Sequence, residues 1–116
     1  MTVVTAAVAG SVGALARYLL SGAVQRRSGS SMPVGTAAVN LAGAFLVGLI
    51  LGAGNGSWWW TAAAGFTGGL TTFSTWMVET IGLGLVPRPS PQAVLNILVL
   101  AGLGVVLAAL GHHLTT

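Results

Sequence analysis

Few side chains in this sequence could carry out chemistry. The one carboxylate is Glu79, the two histidines are His112 and His113 near the carboxyl end, and there is no cysteine. These residues offer no nucleophile–base pair, no acid–base pair and no Cys-based metal site. Adjacent histidines on a helix point in different directions, so a solvated helix end is favoured over a metal site. We therefore expect a protein that is not an enzyme.

The densest group of polar and small residues runs from Gly65 to Trp76, with the sequence GFTGGLTTFSTW. Two adjacent glycines followed by two β-branched threonines make a poor continuous helix. A break in such an apolar segment would free backbone carbonyl groups, which commonly coordinate a small hard cation. The hydroxyl groups of Thr and Ser can instead donate to an anion. The alternative is a glycine kink whose hydroxyl groups bond back to their own helix.

Two further polar residues lie within otherwise apolar segments. Asn40 is flanked by Val39 and Leu41, and Arg17 lies towards the end of the first apolar segment. For Asn40 the alternatives are a functional contact and an interhelical hydrogen bond that only assembles the bundle. For Arg17 they are an anion-attracting vestibule and a side chain that reaches the lipid headgroups.

The composition shows which environment must hold these residues. Hydrophobic residues make up 54% of the 116-residue chain, charged residues 4%, and the mean hydropathy is +0.91. A soluble domain carries about 25% charged residues. The net charge of +3 rests on four arginines, of which only Arg26 and Arg27 are adjacent, so no nucleic-acid-binding face is expected. The composition is that of an integral membrane protein in contact with lipid.

The chain contains four apolar stretches of the length that crosses a bilayer, about 20 residues each. The predicted spans cover about 2–23, 33–53, 58–86 and 92–110, the third with a break near 68–72. A turn signal at 54–57 and the segment PRPSP at 87–91 separate them, and Trp58, Trp59 and Trp60 are typical of an interfacial aromatic belt. We predict an all-α integral membrane four-helix bundle with a broken third transmembrane helix.

The packing and topology of this bundle are also indicated. Gly48/Gly52 and Gly65/Gly69 have the GxxxG spacing of close helix contacts. A bundle of this size does not easily enclose a pore alone, which favours an oligomer. The loops with Arg26, Arg27 and Arg88 share one side, and the positive-inside rule assigns that side to the cytoplasm.

Three motifs in order resemble the Fluc/CrcB fluoride channel family. They are GSVGALARY at Gly10–Tyr18, GTAAVNLAGAFLVG at Gly35–Gly48 and GFTGGLTTFSTWMVE at Gly65–Glu79. The resemblance extends to the length and the four-span layout. It implies a fluoride-selective channel of the inner (plasma) membrane that exports cytoplasmic fluoride passively and reduces its toxicity. It also implies an antiparallel, dual-topology dimer.

The same resemblance implies roles for individual residues. A structural sodium ion would lie at the dimer centre, held by the backbone carbonyl groups of Gly68 and Thr71 from both subunits. Arg17 would lie near an aqueous vestibule, and Glu79 matches the acidic position after the signature. The fluoride pathway would be lined by Asn40, Phe73, Ser74, Thr75 and Trp76.

Two departures from the family pattern bear on these roles. The family usually has phenylalanine where this chain has Trp76, and its fourth helix normally contributes hydroxyl groups, whereas Ala93–Leu110 contains no Ser or Thr. Some members of the family work as pairs of two different chains, so the partner is either a second copy or a paired homologue. Two other functions compete with this one: a small four-span multidrug or cation exporter, and an assembly protein without transport activity. The lack of a mid-membrane carboxylate argues against the exporter.

Overall fold

The computed structural model describes residues 2–54 and 57–116, and over these residues the only regular structure is helical. The helices are α1 (Thr2–Ser28), α2 (Val34–Gly52), α3 (Trp58–Leu70), α4 (Phe73–Gly82) and α5 (Pro91–Thr115). The predicted all-α class is therefore confirmed. Asn55 and Gly56 of the predicted turn lie outside the described residues.

Three of the helices, α1, α2 and α5, are long and apolar enough to cross a membrane. At a rise of about 1.5 Å per residue, α3 is about 20 Å long and α4 is shorter, less than the hydrocarbon core of about 30 Å. The molecule measures 46 Å along its longest axis, close to the full bilayer thickness of about 40–45 Å. These dimensions agree with a multi-pass membrane protein.

The helices pack in two close pairs, α1 with α3 and α2 with α5. Glycines make both contacts: a Cβ atom at Gly13 would overlap the Phe66 carbonyl oxygen, and one at Gly48 would overlap the Ala108 carbonyl oxygen. The glycines at GxxxG spacing, Gly48, Gly52, Gly65 and Gly69, all lie in such contacts. Backbone contact of this kind supplies the attraction that lipid does not provide between apolar helices.

Polar residues are prominent among the buried side chains, while many large apolar side chains face outward. Thr67 and Thr80 are almost fully buried, and Val3 and Val105 are 80% and 70% exposed. Outward apolar side chains carry no penalty in lipid, whereas backbone and hydroxyl groups need internal partners. The buried polar side chains accordingly lie on helices that pack together, and Asn96 on α5 donates to Thr80 on α4.

Candidate functional site

Two extended residues, Thr71 and Thr72, separate α3 from α4. Their backbone angles are φ −89°, ψ 156° and φ −147°, ψ 124°, which lie in the β region. β-branched side chains favour this backbone, and the two preceding glycines weaken the helix. The Thr72 hydroxyl then begins α4 by accepting a hydrogen bond from the Thr75 backbone N–H at 3.3 Å. The local sequence thus ends one helix and starts the next within two residues.

Asn40 on α2 binds both backbone groups of Thr72. Its amide nitrogen donates to the Thr72 carbonyl oxygen at 2.9 Å, and its Oδ1 accepts from the Thr72 N–H at 2.8 Å. These bonds satisfy groups that the end of a helix leaves without partners. A primary amide has two N–H donors, so one remains for another acceptor. Asn40 therefore holds the extended backbone in place and keeps a free donor.

The carbonyl groups at this junction are only weakly occupied. The Thr71 carbonyl oxygen accepts a long hydrogen bond, 3.4 Å, from Nη1 of Arg17. The Gly68 carbonyl oxygen lies 3.5 Å from the Thr71 hydroxyl, which also donates to the Thr67 carbonyl at 3.2 Å. On its side-chain face, Gly68 borders open space. Weakly bonded carbonyl oxygens suit a small hard cation.

These oxygens fit a sodium ion in kind. Residues 2–54 and 57–116 contain no group of three or more His, Asp or Glu side chains that could hold a metal. The donors at this junction that suit a cation are therefore chiefly backbone carbonyl oxygens. The two carbonyl groups of Gly68 and Thr71 are by themselves too few for a complete coordination shell.

A polar cavity of about 230 Å³ lies on one side of Thr72. Arg17 contributes a positive charge, and the Ser and Thr residues contribute hydroxyl donors, a combination that suits an anion. The polar side chains that line this cavity are Arg17, Tyr18, Ser21, Thr36, Thr72 and Thr75.

Glu79 lies next to this cavity and is bonded on one side only. The Thr36 hydroxyl donates to its Oε1 at 2.8 Å, whereas Oε2 is buried without a hydrogen-bond partner. Glu79 also lines a second cavity of about 330 Å³, together with Gln25 near the end of α1 and Ser31 in the loop that follows. The Thr36–Glu79 bond thus separates two polar cavities.

Thr72 also lines an apolar groove of about 600 Å³. Asn40, Thr71, Phe73 and Trp76 line one part of it, and small or aliphatic residues of α2 and α5 line the rest. The rings of Phe73 and Trp76 meet edge to face, with centroids 5.9 Å apart and planes at 81°. Phe73 is 70% exposed, so one aromatic ring projects from the groove.

The structure places most of the predicted site residues around Thr72. Asn40, Thr71, Phe73 and Trp76 line the groove, while Arg17 and Thr75 line the polar cavity. Ser74 and Gly68 are exposed and line neither of these cavities.

Four polar residues that line the polar cavity, Tyr18, Ser21, Thr36 and Thr72, were not predicted as site residues, and two of them bond to predicted ones. Thr36 was detectable, because it lies four residues before Asn40 on the same face of α2. Thr72 contributes mainly its backbone N–H and C=O, which no side-chain pattern reveals.

Comparison with known proteins adds to this geometry. The family model described as "CrcB-like protein, Camphor Resistance (CrcB)" matches residues 4–112. A fluoride-specific ion channel FluC 2 of Rhodococcus jostii is 40% identical over 117 aligned residues, covering 100% of both chains. A FluC 2 of Mycolicibacterium paratuberculosis is 42% identical, covering 93% of this chain and 88% of that protein.

A third relative, fluoride-specific ion channel FluC 1 of Leifsonia xyli, is 37% identical over 96% of this chain and 80% of its own length. The family match extends over nearly the whole chain and includes all of α2, α3 and α4 and most of α1 and α5. It therefore covers the junction of α3 and α4, the Asn40 contact and both kinds of cavity. This protein belongs to the CrcB-like family.

Proposed function

We propose that this protein is a fluoride channel through which cytoplasmic fluoride leaves the cell down its gradient, across the inner membrane. The single observation that carries the proposal is the Asn40–Thr72 pairing. It holds Thr72 in an extended conformation, and Thr72 lines both a basic polar cavity and an aromatic groove. The names of the relatives identify the ion as fluoride. A multidrug or cation exporter is not favoured, since the relatives are named as fluoride channels.

In this proposal α3 and α4 are the two halves of one broken third crossing. Irregular backbone within a membrane is tolerated where it is buried in protein or lines a polar cavity. The carbonyl groups of Gly68 and Thr71 would hold a sodium ion together with those of a second chain, and that ion would supply a fixed positive charge at the centre. Arg17 adds a second positive charge 3.4 Å from the Thr71 carbonyl oxygen.

The polar cavity provides the first contacts for fluoride. Fluoride is small and tightly hydrated, so several donors must replace its water. The guanidinium group of Arg17 attracts the anion, and Thr75 with its neighbouring hydroxyl groups can donate to it. The free amide N–H of Asn40 and the ring edges of Phe73 and Trp76 continue the path on the groove side. Ser74 would join this path from the exposed face of α4.

The working unit in this proposal is an antiparallel dimer. The apolar groove and the projecting ring of Phe73 would be covered by a second chain, which also completes the sodium site. Arg26 and Arg27 lie in the last turn of α1, and Arg88 follows α4. The ends of these two helices lie together around the cavity with Gln25 and Glu79. This charge asymmetry is small, three arginines, so the partner is either a second copy in the opposite orientation or a paired homologue.

Efflux from liposomes tests the function. Purified wild-type chain is reconstituted into liposomes loaded with potassium fluoride, with valinomycin to balance charge and chloride-loaded liposomes as the control. We expect fluoride release without chloride release. Release only after co-expression with a paired homologue would establish the heterodimer, and no fluoride release in either case would refute the proposal.

A further inference from the structure

Trp76 carries a buried indole N–H group without an acceptor. Among the side-chain nitrogen and oxygen atoms of residues 2–54 and 57–116, two buried atoms lack a hydrogen-bond partner, Trp76 Nε1 and Glu79 Oε2. Buried polar atoms are paired in the great majority of native structures, so each exception needs a reason. The residue type is not the reason, because the indole N–H of Trp60 donates to the Ile50 carbonyl oxygen at 3.2 Å.

The position of Trp76 supplies a reason. It lies one helical turn after the extended residues, in edge-to-face contact with Phe73. Asn40 and Trp76 are the two residues lining the apolar groove that carry side-chain N–H groups. One amide N–H of Asn40 is already bonded to the Thr72 carbonyl. Two of the described lining residues, Asn40 and Trp76, therefore each carry a free N–H donor, and that of Trp76 is buried beneath the groove surface.

The side-chain hydroxyl groups that line the groove already donate to other acceptors. The Thr71 hydroxyl donates to the Thr67 carbonyl at 3.2 Å, and the Thr72 hydroxyl pairs with the Thr75 hydroxyl at 3.1 Å. The part of the groove formed by α5 consists of Leu100, Ala101, Gly104, Val105 and Ala108, whose side chains have no donor. A partly dehydrated anion in this groove would find side-chain N–H donors only on Asn40 and Trp76, and the buried indole would have to turn towards the groove to reach it.

We propose that the indole N–H of Trp76 donates a hydrogen bond to the permeating fluoride ion, beside the free amide N–H of Asn40. This inference rests on the proposed function. An indole N–H is a full hydrogen-bond donor, whereas the edge of a phenyl ring offers only weakly polarised C–H groups. Trp76 thus supplies the donor that α5 lacks, and it favours fluoride because fluoride is the strongest hydrogen-bond acceptor among the halides.

Two purely structural partners for this N–H must be distinguished from fluoride. Glu79 Oε2 is an unpaired acceptor three residues further along the same helix face. A carbonyl group of a second chain could also reach Trp76 in a dimer. In either case the indole would stabilise the protein without contacting the ion.

The test removes the indole N–H of Trp76 in two ways, one of which keeps the shape of the ring system. Trp76→Phe removes the N–H together with part of the ring, and a benzothienylalanine residue at position 76 replaces only the N–H by sulfur. Trp58→Phe is the matched control, because Trp58 is 77% exposed and remote from the groove. A hydrogen bond to a charged group corresponds to about a tenfold to hundredfold effect. We expect fluoride efflux to fall by that factor in both position-76 variants and to stay unchanged in Trp58→Phe.

Nuclear magnetic resonance provides a second readout that does not depend on transport. The chain has four tryptophans, so its indole N–H signals are few, and Trp76→Phe assigns the relevant one. We expect potassium fluoride, but not potassium chloride, to shift this proton downfield in the wild-type protein. A shift caused by Glu79→Gln with no response to fluoride would assign the N–H to Glu79 and overturn the inference.

The remaining outcomes separate this inference from the proposed function. Loss of the dimer in Trp76→Phe, with an indole signal that ignores fluoride, would assign the N–H to the second chain and refute the fluoride contact. Wild-type efflux with unchanged position-76 variants would also refute it while leaving the channel intact. Absence of fluoride efflux from wild-type protein, alone and with a homologue, would refute the proposed function itself.

Discussion

Replacing Asn40 by leucine removes its amide while keeping a side chain of similar shape. Both Thr72 backbone groups, now bonded to Asn40 at 2.8 and 2.9 Å, would lose their partners. An unpaired buried donor or acceptor costs about 1–3 kcal/mol, so the two together cost about 2–6 kcal/mol. At about 1.4 kcal/mol per factor of ten, the extended conformation at Thr71–Thr72 becomes roughly 30-fold less populated at the least.

The assay compares two asparagines that form hydrogen bonds between helices. Asn40 is half-buried, whereas Asn96 on α5 is buried and donates one hydrogen bond, 2.8 Å, to the Thr80 hydroxyl. That hydroxyl still donates to the Trp76 carbonyl oxygen after Asn96→Leu, so this variant should lose only about 1 kcal/mol of stability. We expect fluoride efflux from liposomes to fall roughly 30-fold or more in Asn40→Leu and to remain close to wild type in Asn96→Leu.

Protein integrity must be measured beside the flux. Size-exclusion chromatography and thermal unfolding in detergent report whether each variant keeps its assembly and stability. Wild-type flux in a folded Asn40→Leu protein would refute the role of the Asn40–Thr72 pairing. Equal losses of flux in both variants would also refute it, because the effect would then follow from general destabilisation of the bundle.

Three further changes test other parts of the structure. Phe73→Leu should slow fluoride efflux by roughly twofold to tenfold, because an aromatic edge contact contributes about 0.5–1.5 kcal/mol. It should not lower the unfolding temperature of the protein, since Phe73 is exposed, and wild-type flux would exclude the ring from the path. Gly69→Ala should destabilise the protein by about 1–3 kcal/mol, because the added Cβ would overlap the Gly10 carbonyl oxygen. Gly102 borders open space, so Gly102→Ala should stabilise the protein by up to about 1 kcal/mol. Thermal unfolding of both variants tests this, and equal effects would contradict the packing argument. Arg17→Gln should reduce efflux most at low ionic strength, since salt screens charges beyond about 10 Å at 0.1 M; a reduction independent of salt would indicate a structural role instead.

The fold class could be predicted because a chain with 4% charged residues must lie in a membrane, where an apolar span satisfies its backbone groups by forming a helix. The sequence also identified Asn40 as a polar residue that must find a partner. The identity of that partner depends on how far α2 is displaced along its axis relative to the α3–α4 junction, and no local pattern encodes this displacement. The sodium site, the dimer and the roles of individual pathway residues stay predictions.

Arg17 illustrates the same limit. Its position towards the end of an apolar segment was compatible with a headgroup contact and with a vestibule. The structure places its guanidinium group 3.4 Å from the Thr71 carbonyl oxygen, because close contact of α1 and α3 at Gly13 and Gly69 brings the two segments together. Such close backbone contact is possible because glycine has no side chain. The residue types alone therefore do not reveal which backbone groups come together.

The Asn40–Thr72 pairing has a consequence for mutational scanning. Its Thr72 half consists of main-chain atoms, so substitutions at position 72 other than proline leave it in place and would record only the loss of the Thr72 hydroxyl cap. Proline would delete the N–H but would also restrict the backbone angles, whereas an ester bond in place of the amide would delete the N–H alone. An alanine scan of position 72 therefore misses this half of the interaction, and backbone chemistry isolates it.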